Sequence, residues 1–239
     1  MNADSMTPAV SIIVATLNEQ GTIEECIRRI LAVYPEECEV LVVNGGADRT
    51  GAIVDAMAVS HPAVRHVRNS GDRGKGHAIR VGIASARSPV HAQIDADLQF
   101  LPEELPRVID PVRNGEADVV LGSRFTSGSV RGPGSTPPVR TLGNKVTSAY
   151  ASLLFGRRMT DVQAGMKAWS AAAIRRIDLR SDNFSYEVEI AAKGLRRGLR
   201  VAEVPITTAR REAGRSNVRL VTAGLALLRD ISLFRLGVK

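Results

Sequence analysis

Asp95-Ala96-Asp97-Leu98-Gln99 is the sharpest chemical feature of the chain, and it directly follows a short apolar run, Val90–Ile94. Two carboxylates at i and i+2, where a strand ends, can both turn toward one cation as the backbone bends. Hard divalent ions take such oxygen ligands and fill their remaining positions with water and phosphate. An ion that bridges a diphosphate would fix it and neutralise charge on a leaving group. The same acidic turn could equally cap a helix, since Leu101-Pro102-Glu103-Glu104 comes next.

Gly74-Lys75-Gly76 lies after Arg73 and before a helical stretch. Glycines let a backbone approach a phosphate, and a helix start supplies free N–H groups. The spacing is that of neither a P-loop nor a dinucleotide fingerprint, and a tight turn explains it as well. Arg124, Arg131 and Arg140 surround a segment rich in glycine and proline, and Arg210, Arg211 and Arg215 come near the end. Arginine forks match phosphate oxygens in bidentate fashion. The four histidines are scattered without ligand spacing, and no G-x-S-x-G nucleophile elbow occurs.

The elements that must hold these residues alternate. Val10–Ala15, Glu39–Val43, Val64–Val67, Val90–Ile94 and Val119–Gly122 read as short buried strands. Helices fall between them at Thr22–Val33, Thr50–Val59 and His77–Ala86. This β-α-β-α rhythm predicts an α/β domain with a mostly parallel sheet. Ligands of such sheets sit beyond the carboxyl ends of the strands, where Asn18-Glu19, Asn44–Asp48, Asp95–Asp97 and Ser123-Arg124 all fall.

Residues 126–140 break the rhythm and are expected to be a mobile loop over a site. Helices are expected at Thr141–Phe155, Ala171–Ile177 and Tyr186–Lys193, and a strand at Val201–Val204. Val218–Leu236 reads as an amphipathic helix with Leu220, Val221, Leu225, Leu228 and Ile231 on one side. The chain is read as one domain over 1–239, with a donor half at 8–125 and an acceptor half at 141–239.

The 239 residues carry a net charge of +7, with pI about 10.0, which predicts attraction to polyanions without naming one. Aromatics are scarce and no groove-reading helix or RNP-type stretch occurs, so nucleic acid is excluded as a partner. Cys26 and Cys38 make no disulfide framework and fit reduced structural thiols. The start lacks the apolar core of a signal peptide, and no stretch has the ~20 apolar residues of a membrane span. The expectation is a cytoplasmic protein, soluble or peripheral on the cytoplasmic membrane face.

Taken in order, these pieces resemble the family 2 glycosyltransferases of the GT-A fold, a Rossmann-like, mostly parallel sheet flanked by helices. They look most like the branch of the dolichyl-phosphate mannose or glucose synthases. Besides the strand ends above, the matching stretches include Ser11–Glu19, Val42–Thr50, Arg140–Asn144, Asp161–Lys167, Glu187 with Glu189, Glu203–Ile206 and Gly214–Asn217. They cover nearly the whole chain.

The resemblance implies that Ala15, Leu17 and Glu19 line a base and ribose pocket, with Asn44, Asp48, Lys75, Asp95 and Ala96 in the nucleotide-sugar site. It implies that Asp95, Asp97 and Gln99 hold Mg²⁺ or Mn²⁺ against the donor diphosphate. Arg124, Arg140 and Arg211 would face an acceptor phosphate, Asp161 and Gln163 would lie beside the sugar, and the amphipathic end would rest on a membrane surface. The activity implied is inverting transfer of a hexose from a UDP- or GDP-linked donor to a polyprenyl phosphate. A soluble phosphorylated or glycan acceptor, or a non-catalytic nucleotide-sugar binder, is the alternative. The chain departs from the family in having Val43-Asn44 where two adjacent aspartates are usual. Ala15 replaces a proline, and Leu17 a tyrosine or phenylalanine.

Overall fold

The computed structural model describes residues 8–210 and 220–239, with the side chains of 220–223 set aside. Five of its strands follow the sequence pattern: β1 (Val10–Thr16), β2 (Cys38–Asn44), β3 (Val64–Arg68), β4 (Val90–Gln93) and β5 (Val119–Ser123). Between them lie α1 (Ile23–Val33), α2 (Thr50–Ser60), α3 (Lys75–Ser85) and α4 (Leu105–Arg113), the last entered through a 3₁₀ turn at Pro102–Glu104. The second part adds β6 (Val130–Arg131), α5 (Pro138–Phe155), β7 (Lys167–Ser170), α6 (Ala171–Ile177) and α7 (Ser185–Arg196). It closes with β8 (Val201–Pro205), β9 (Thr207–Thr208) and α8 (Leu220–Leu236).

Seven strands form one sheet in the order β3-β2-β1-β4-β7-β5-β8. The pairings β1 with β2, β1 with β4, β2 with β3 and β5 with β8 are parallel, whereas β7 runs antiparallel to both β4 and β5. The sheet is therefore mostly parallel and flanked by helices. The strand order reverses at β1, between β2 and β4, and a crevice opens there at the carboxyl ends.

Alternate residues of β1 and β2 feed two cores. Ile12, Val14, Val40 and Val42 pack with Ile23, Ile27 and Ile30 of α1 and Leu105, Val108 and Ile109 of α4. Ile13, Leu41 and Val43 face Ile79 of α3, and the same core includes Ile190 of α7 and Ile231 of α8. Apolar residues on both faces of a strand are what a sheet covered on two sides requires. Cys26 and Cys38 are buried and unbridged, and burial pushes their thiols up to about 12 and about 11.

Two segments differ from the sequence pattern. β7 enters the sheet between β4 and β5 although its four residues, Lys-Ala-Trp-Ser, carry no strand periodicity. Residues 126–140 are not wholly irregular: β6 pairs parallel with β9, Ser135 is buried, and α5 already begins at Pro138.

α8 also sits differently from its sequence pattern. It packs on α5 and α7, turning Leu227, Asp230, Ile231 and Phe234 inward and leaving Leu225 exposed. Of the side read from the sequence, Ile231 is buried, Leu228 partly buried and Leu225 exposed. Among the described residues, no helix is long and apolar enough to cross a membrane.

Candidate active site

The crevice at the reversal of strand order widens into a cavity of about 680 Å³. Its floor is the end of β1 and the turn after β4, so Ala15, Leu17 and Glu19 face Asp95, Ala96 and Asp97. Lys75 enters from the start of α3, Arg124 from the end of β5, Arg140 from α5 and Gln163 from the segment before β7. Ten residues named from the sequence thus line one cavity. Phe184, ahead of α7, lines it as well.

Asn44 and Asp48, both partly exposed, are not among the residues lining the cavity. The Asn44 carboxamide oxygen accepts from Gly46 N at 3.0 Å and from the Thr16 hydroxyl at 3.2 Å. Asp48 accepts from Thr50 N at 2.9 Å, at the start of α2, and from Gln20 N at 3.2 Å. Asn18, in the left-handed region at φ 61°, takes Ala47 N and Asp48 N on its side-chain oxygen at 3.1 and 3.3 Å. These bonds bind the loop after β2 to the loop after β1. Neither Asn44 nor Asp48 reaches the cavity surface.

Asp161 also lies outside the lining. It is wholly buried and grips Arg124 from below: Nε donates to Oδ2 at 2.6 Å and Nη2 to Oδ1 at 2.8 Å. Burial alone would lower the Arg124 pKa, but Asp161 raises it above the ordinary arginine value. Gln99 turns away too, donating from Nε2 to Ser135 O at 2.9 Å and tying down the glycine- and proline-rich segment. Arg211 lies outside the described residues.

Asp95 is held on two sides. The Lys75 ammonium lies 2.7 Å from its Oδ1. On its other side is Gly165, where any added Cβ would overlap the Asp95 carboxyl group. Lys75 also donates to Glu187 Oε1 at 3.0 Å, and Glu187 Oε2 lies 3.3 Å from the ammonium of Lys167. Burial alone would lower the Lys75 pKa, yet Asp95 and Glu187 hold it well above the ordinary lysine value. Lys167 has one carboxylate neighbour, and burial pulls it below that value. Burial opposes ionisation of Glu187, but Lys167 and Lys75 keep its carboxyl well below the usual range.

The motif stretches included Glu187 and Lys167 but assigned them no part. No signal in the sequence marked Lys167, because Lys167–Ser170 carries no strand period.

The lining carries both charges: the carboxylates of Asp95 and Asp97, and the guanidinium groups of Arg124, from the end of β5, and Arg140, from α5. Such a cavity can hold a cation with one anion and receive a second anion at the arginines.

Comparison with known proteins agrees with this architecture. The sequence profile of glycosyl transferase family 2 matches residues 11–180. An undecaprenyl-phosphate mannosyltransferase of Micrococcus luteus is 32% identical over 217 residues, covering 87% of this chain and 87% of that protein. The polyprenol monophosphomannose synthase of Mycolicibacterium smegmatis is 30% identical, with 89% and 82% covered. A low-salt glycan biosynthesis hexosyltransferase of Haloferax volcanii is 31% identical over 91% of this chain, which spans about half of that relative (52%).

Among solved structures, glucosyl-3-phosphoglycerate synthase from Mycobacterium tuberculosis superimposes with a TM-score of 0.71 at 21% identity. That structure, with Mn²⁺, UDP-glucose and phosphoglyceric acid, matches over 96% of this chain and 80% of the other. The fold is thereby the GT-A fold, and the chain belongs to glycosyl transferase family 2.

Proposed function

We propose that this chain is an inverting, metal-dependent hexosyltransferase that moves a sugar from a UDP- or GDP-linked donor to a polyprenyl phosphate. The observation that carries this reading is that one cavity is lined both by carboxylates, Asp95 with Asp97, and by guanidinium groups, Arg124 with Arg140. The kinship with polyprenyl-phosphate mannosyltransferases supports the acceptor class.

The residues present fit a divalent ion. Asp95 and Asp97 both open on the cavity, and the absent side chain at Gly165 leaves the Asp95 carboxyl its place. Among the described residues no group of three or more His, Cys, Asp or Glu could hold a metal. Asp95 and Asp97 would therefore be the carboxylates that hold a hard ion such as Mg²⁺ or Mn²⁺, with the rest of its oxygen ligands coming from outside this pair. When bound, the ion stabilises charge on the departing nucleoside diphosphate.

The protein's own tasks are placement and charge. Ala15, Leu17 and Glu19 bound the donor end of the cavity, and Phe184, whose ring centre lies 5.9 Å from the Lys75 ammonium, adds an aromatic surface to its lining. Arg124, held rigid by Asp161, and Arg140 receive the acceptor phosphate and lessen its repulsion from the donor. A phosphate oxygen is already anionic at neutral pH, so no general base is required. Asp161 accords with this, since its two oxygens are engaged by Arg124 and it has no solvent contact.

The outer face of α5 supports a lipid-borne acceptor at the cytoplasmic membrane face. Val139, Leu142, Val146 and Leu153 stand exposed along it, at spacings that keep them on one side of the helix. The helix carries Arg140 and Lys145 and no acidic residue, which suits an anionic bilayer. Arg140, Gly143, Asn144 and Thr147 of the same helix line the cavity, so the apolar stripe borders its mouth.

The test is turnover of UDP-glucose and GDP-mannose with Mn²⁺ and a short polyprenyl phosphate, alongside flotation with anionic vesicles. Transfer to the lipid phosphate is the expected result. Transfer only to soluble phosphate esters, without flotation, would replace the acceptor. Binding of a donor without transfer to any acceptor would leave a nucleotide-sugar binder.

A further inference from the structure

Lys167 has no solvent exposure, and its position in β7, between β4 and β5, is in the middle of the sheet. Its ammonium donates to Ala164 O and faces Glu187 Oε2 at 3.3 Å. A buried ion pair seldom stabilises a fold more than apolar side chains of the same volume would, because two charges must be stripped of water. Stability alone is therefore a poor reason for this one.

Its surroundings suggest another. The second oxygen of Glu187 accepts from Lys75 at 3.0 Å, and Lys75 meets Asp95 at 2.7 Å on the cavity wall. Tyr186 donates to the same Glu187 oxygen at 3.1 Å, and Gln93 donates to the Tyr186 hydroxyl at 3.0 Å. The charges alternate along Lys167, Glu187, Lys75 and Asp95, and together they cancel. Lys75 is thus shared between two carboxylates. Were Glu187 neutral, the Lys75 ammonium would settle wholly on Asp95, the carboxylate that a cation in the cavity needs.

We propose that the Lys167–Glu187 pair is a positioning device that holds Lys75 between Glu187 and Asp95, so that the ammonium does not bind Asp95 alone and that carboxylate stays available to a divalent cation. The pair touches neither donor nor acceptor and acts through Lys75. The proposal rests on the reading of Asp95 as a cation ligand. Gly165 completes the device from the opposite side, since it allows the Asp95 carboxyl to lie where any Cβ would otherwise be.

The experiment measures Mn²⁺ binding from the electron paramagnetic resonance signal of the free ion, with no nucleotide present, and thermal unfolding of the same samples. The variants are the full chain carrying K167M/E187M, K75M, or all three changes. Replacing the pair by methionines is expected to leave the melting temperature unchanged or higher. Mn²⁺ affinity is expected to fall about tenfold, as for coupled charges in contact. In the K75M background the same replacement is expected to change affinity by less than about threefold. E187Q removes the charge with little change of shape and carries the same expectation if the methionine pair does not fold.

Unchanged Mn²⁺ affinity in the pair variant would overturn the proposal. So would an equal loss with and without Lys75, or a wild-type chain that takes up no Mn²⁺ at millimolar concentration. A chain that shows the coupling yet transfers no sugar from UDP-glucose or GDP-mannose to polyprenyl phosphate would keep this inference and lose the acceptor reading.

Discussion

Asp161 holds Arg124 at three points: two from the guanidinium, at 2.6 and 2.8 Å, and one from the Arg124 backbone N–H at 3.1 Å. The carboxylate is fully buried and the arginine side chain nearly so, so neither tolerates loss of the other. Asp161→Ala is expected to cost about 3–5 kcal/mol of stability, the usual consequence of removing one partner of a buried pair. Urea unfolding measures it. Arg124→Lys keeps the charge but loses the fork, and kcat/KM for the acceptor is expected to fall with little change in donor KM. Equal losses for donor and acceptor would remove Arg124 from acceptor binding.

Asp97 lines the cavity and accepts from Gln99 N at 3.1 Å. Asp97→Ala is expected to lower kcat by roughly a hundredfold, about 3 kcal/mol of lost transition-state stabilisation. EDTA should abolish transfer by the wild type, and added Mn²⁺ or Mg²⁺ should restore it. Transfer that survives EDTA would argue against an ion at this carboxylate.

Gly165 gives the same cavity a steric test. Its space is filled by the Asp95 carboxyl group, so Gly165→Ala must displace that carboxylate or the segment before β7. The expected outcome is Mn²⁺ binding weakened at least about tenfold, against a destabilisation of about 1–3 kcal/mol for overpacking. Metal titration beside urea unfolding separates the two effects.

Glu39 sets a pH dependence away from the site. Burial would raise its pKa, but hydrogen bonds from Ser11, the Arg87 backbone and Arg65 lower it below the ordinary glutamate value. A lowered folded-state value means stability that is present above the usual carboxylate range and lost as pH falls through the lowered one. Glu39→Gln is therefore expected to be less stable than wild type near pH 7, with the difference narrowing as the solution is acidified. Unfolding free energies across pH 3–7 provide the check.

The exposed stripe on α5 predicts a separable loss. Replacing Leu142 and Val146, both outside the cavity lining, with serine should reduce partition to anionic vesicles while donor binding stays intact. Equal loss of donor binding would mean that the stripe supports the cavity rather than docking it.

Much of the donor half was legible because its strands are apolar on both faces and end in polar clusters, as Val90–Ile94 ends in Asp95 and Asp97. β7 was hidden because four residues containing a lysine and a serine carry no strand period. The parts played by Asn44, Asp48 and Asp161 depend on which neighbouring groups their oxygens meet, which spacing along a chain does not encode. Each falls at a strand end or motif position facing the crevice, yet each spends its oxygens on neighbouring protein groups. Phe184 and Glu187 come from α7 and the turn before it, far along the chain from Leu17 and Lys75, and only the folded sheet brings them together.

The antiparallel strand β7 also has a consequence for how the chain comes apart. It belongs to the second half by sequence but is hydrogen-bonded on one edge to β4 and on the other to β5. A fragment stopping after β5 would hold two unpaired edges with a gap between them, and the remainder would carry a lone strand with no sheet to join. The donor and acceptor halves therefore should not exchange, evolve or be spliced as interchangeable cassettes. Amides of β4, β5 and β7 should exchange their hydrogens as one cooperative unit, the last of the molecule to open.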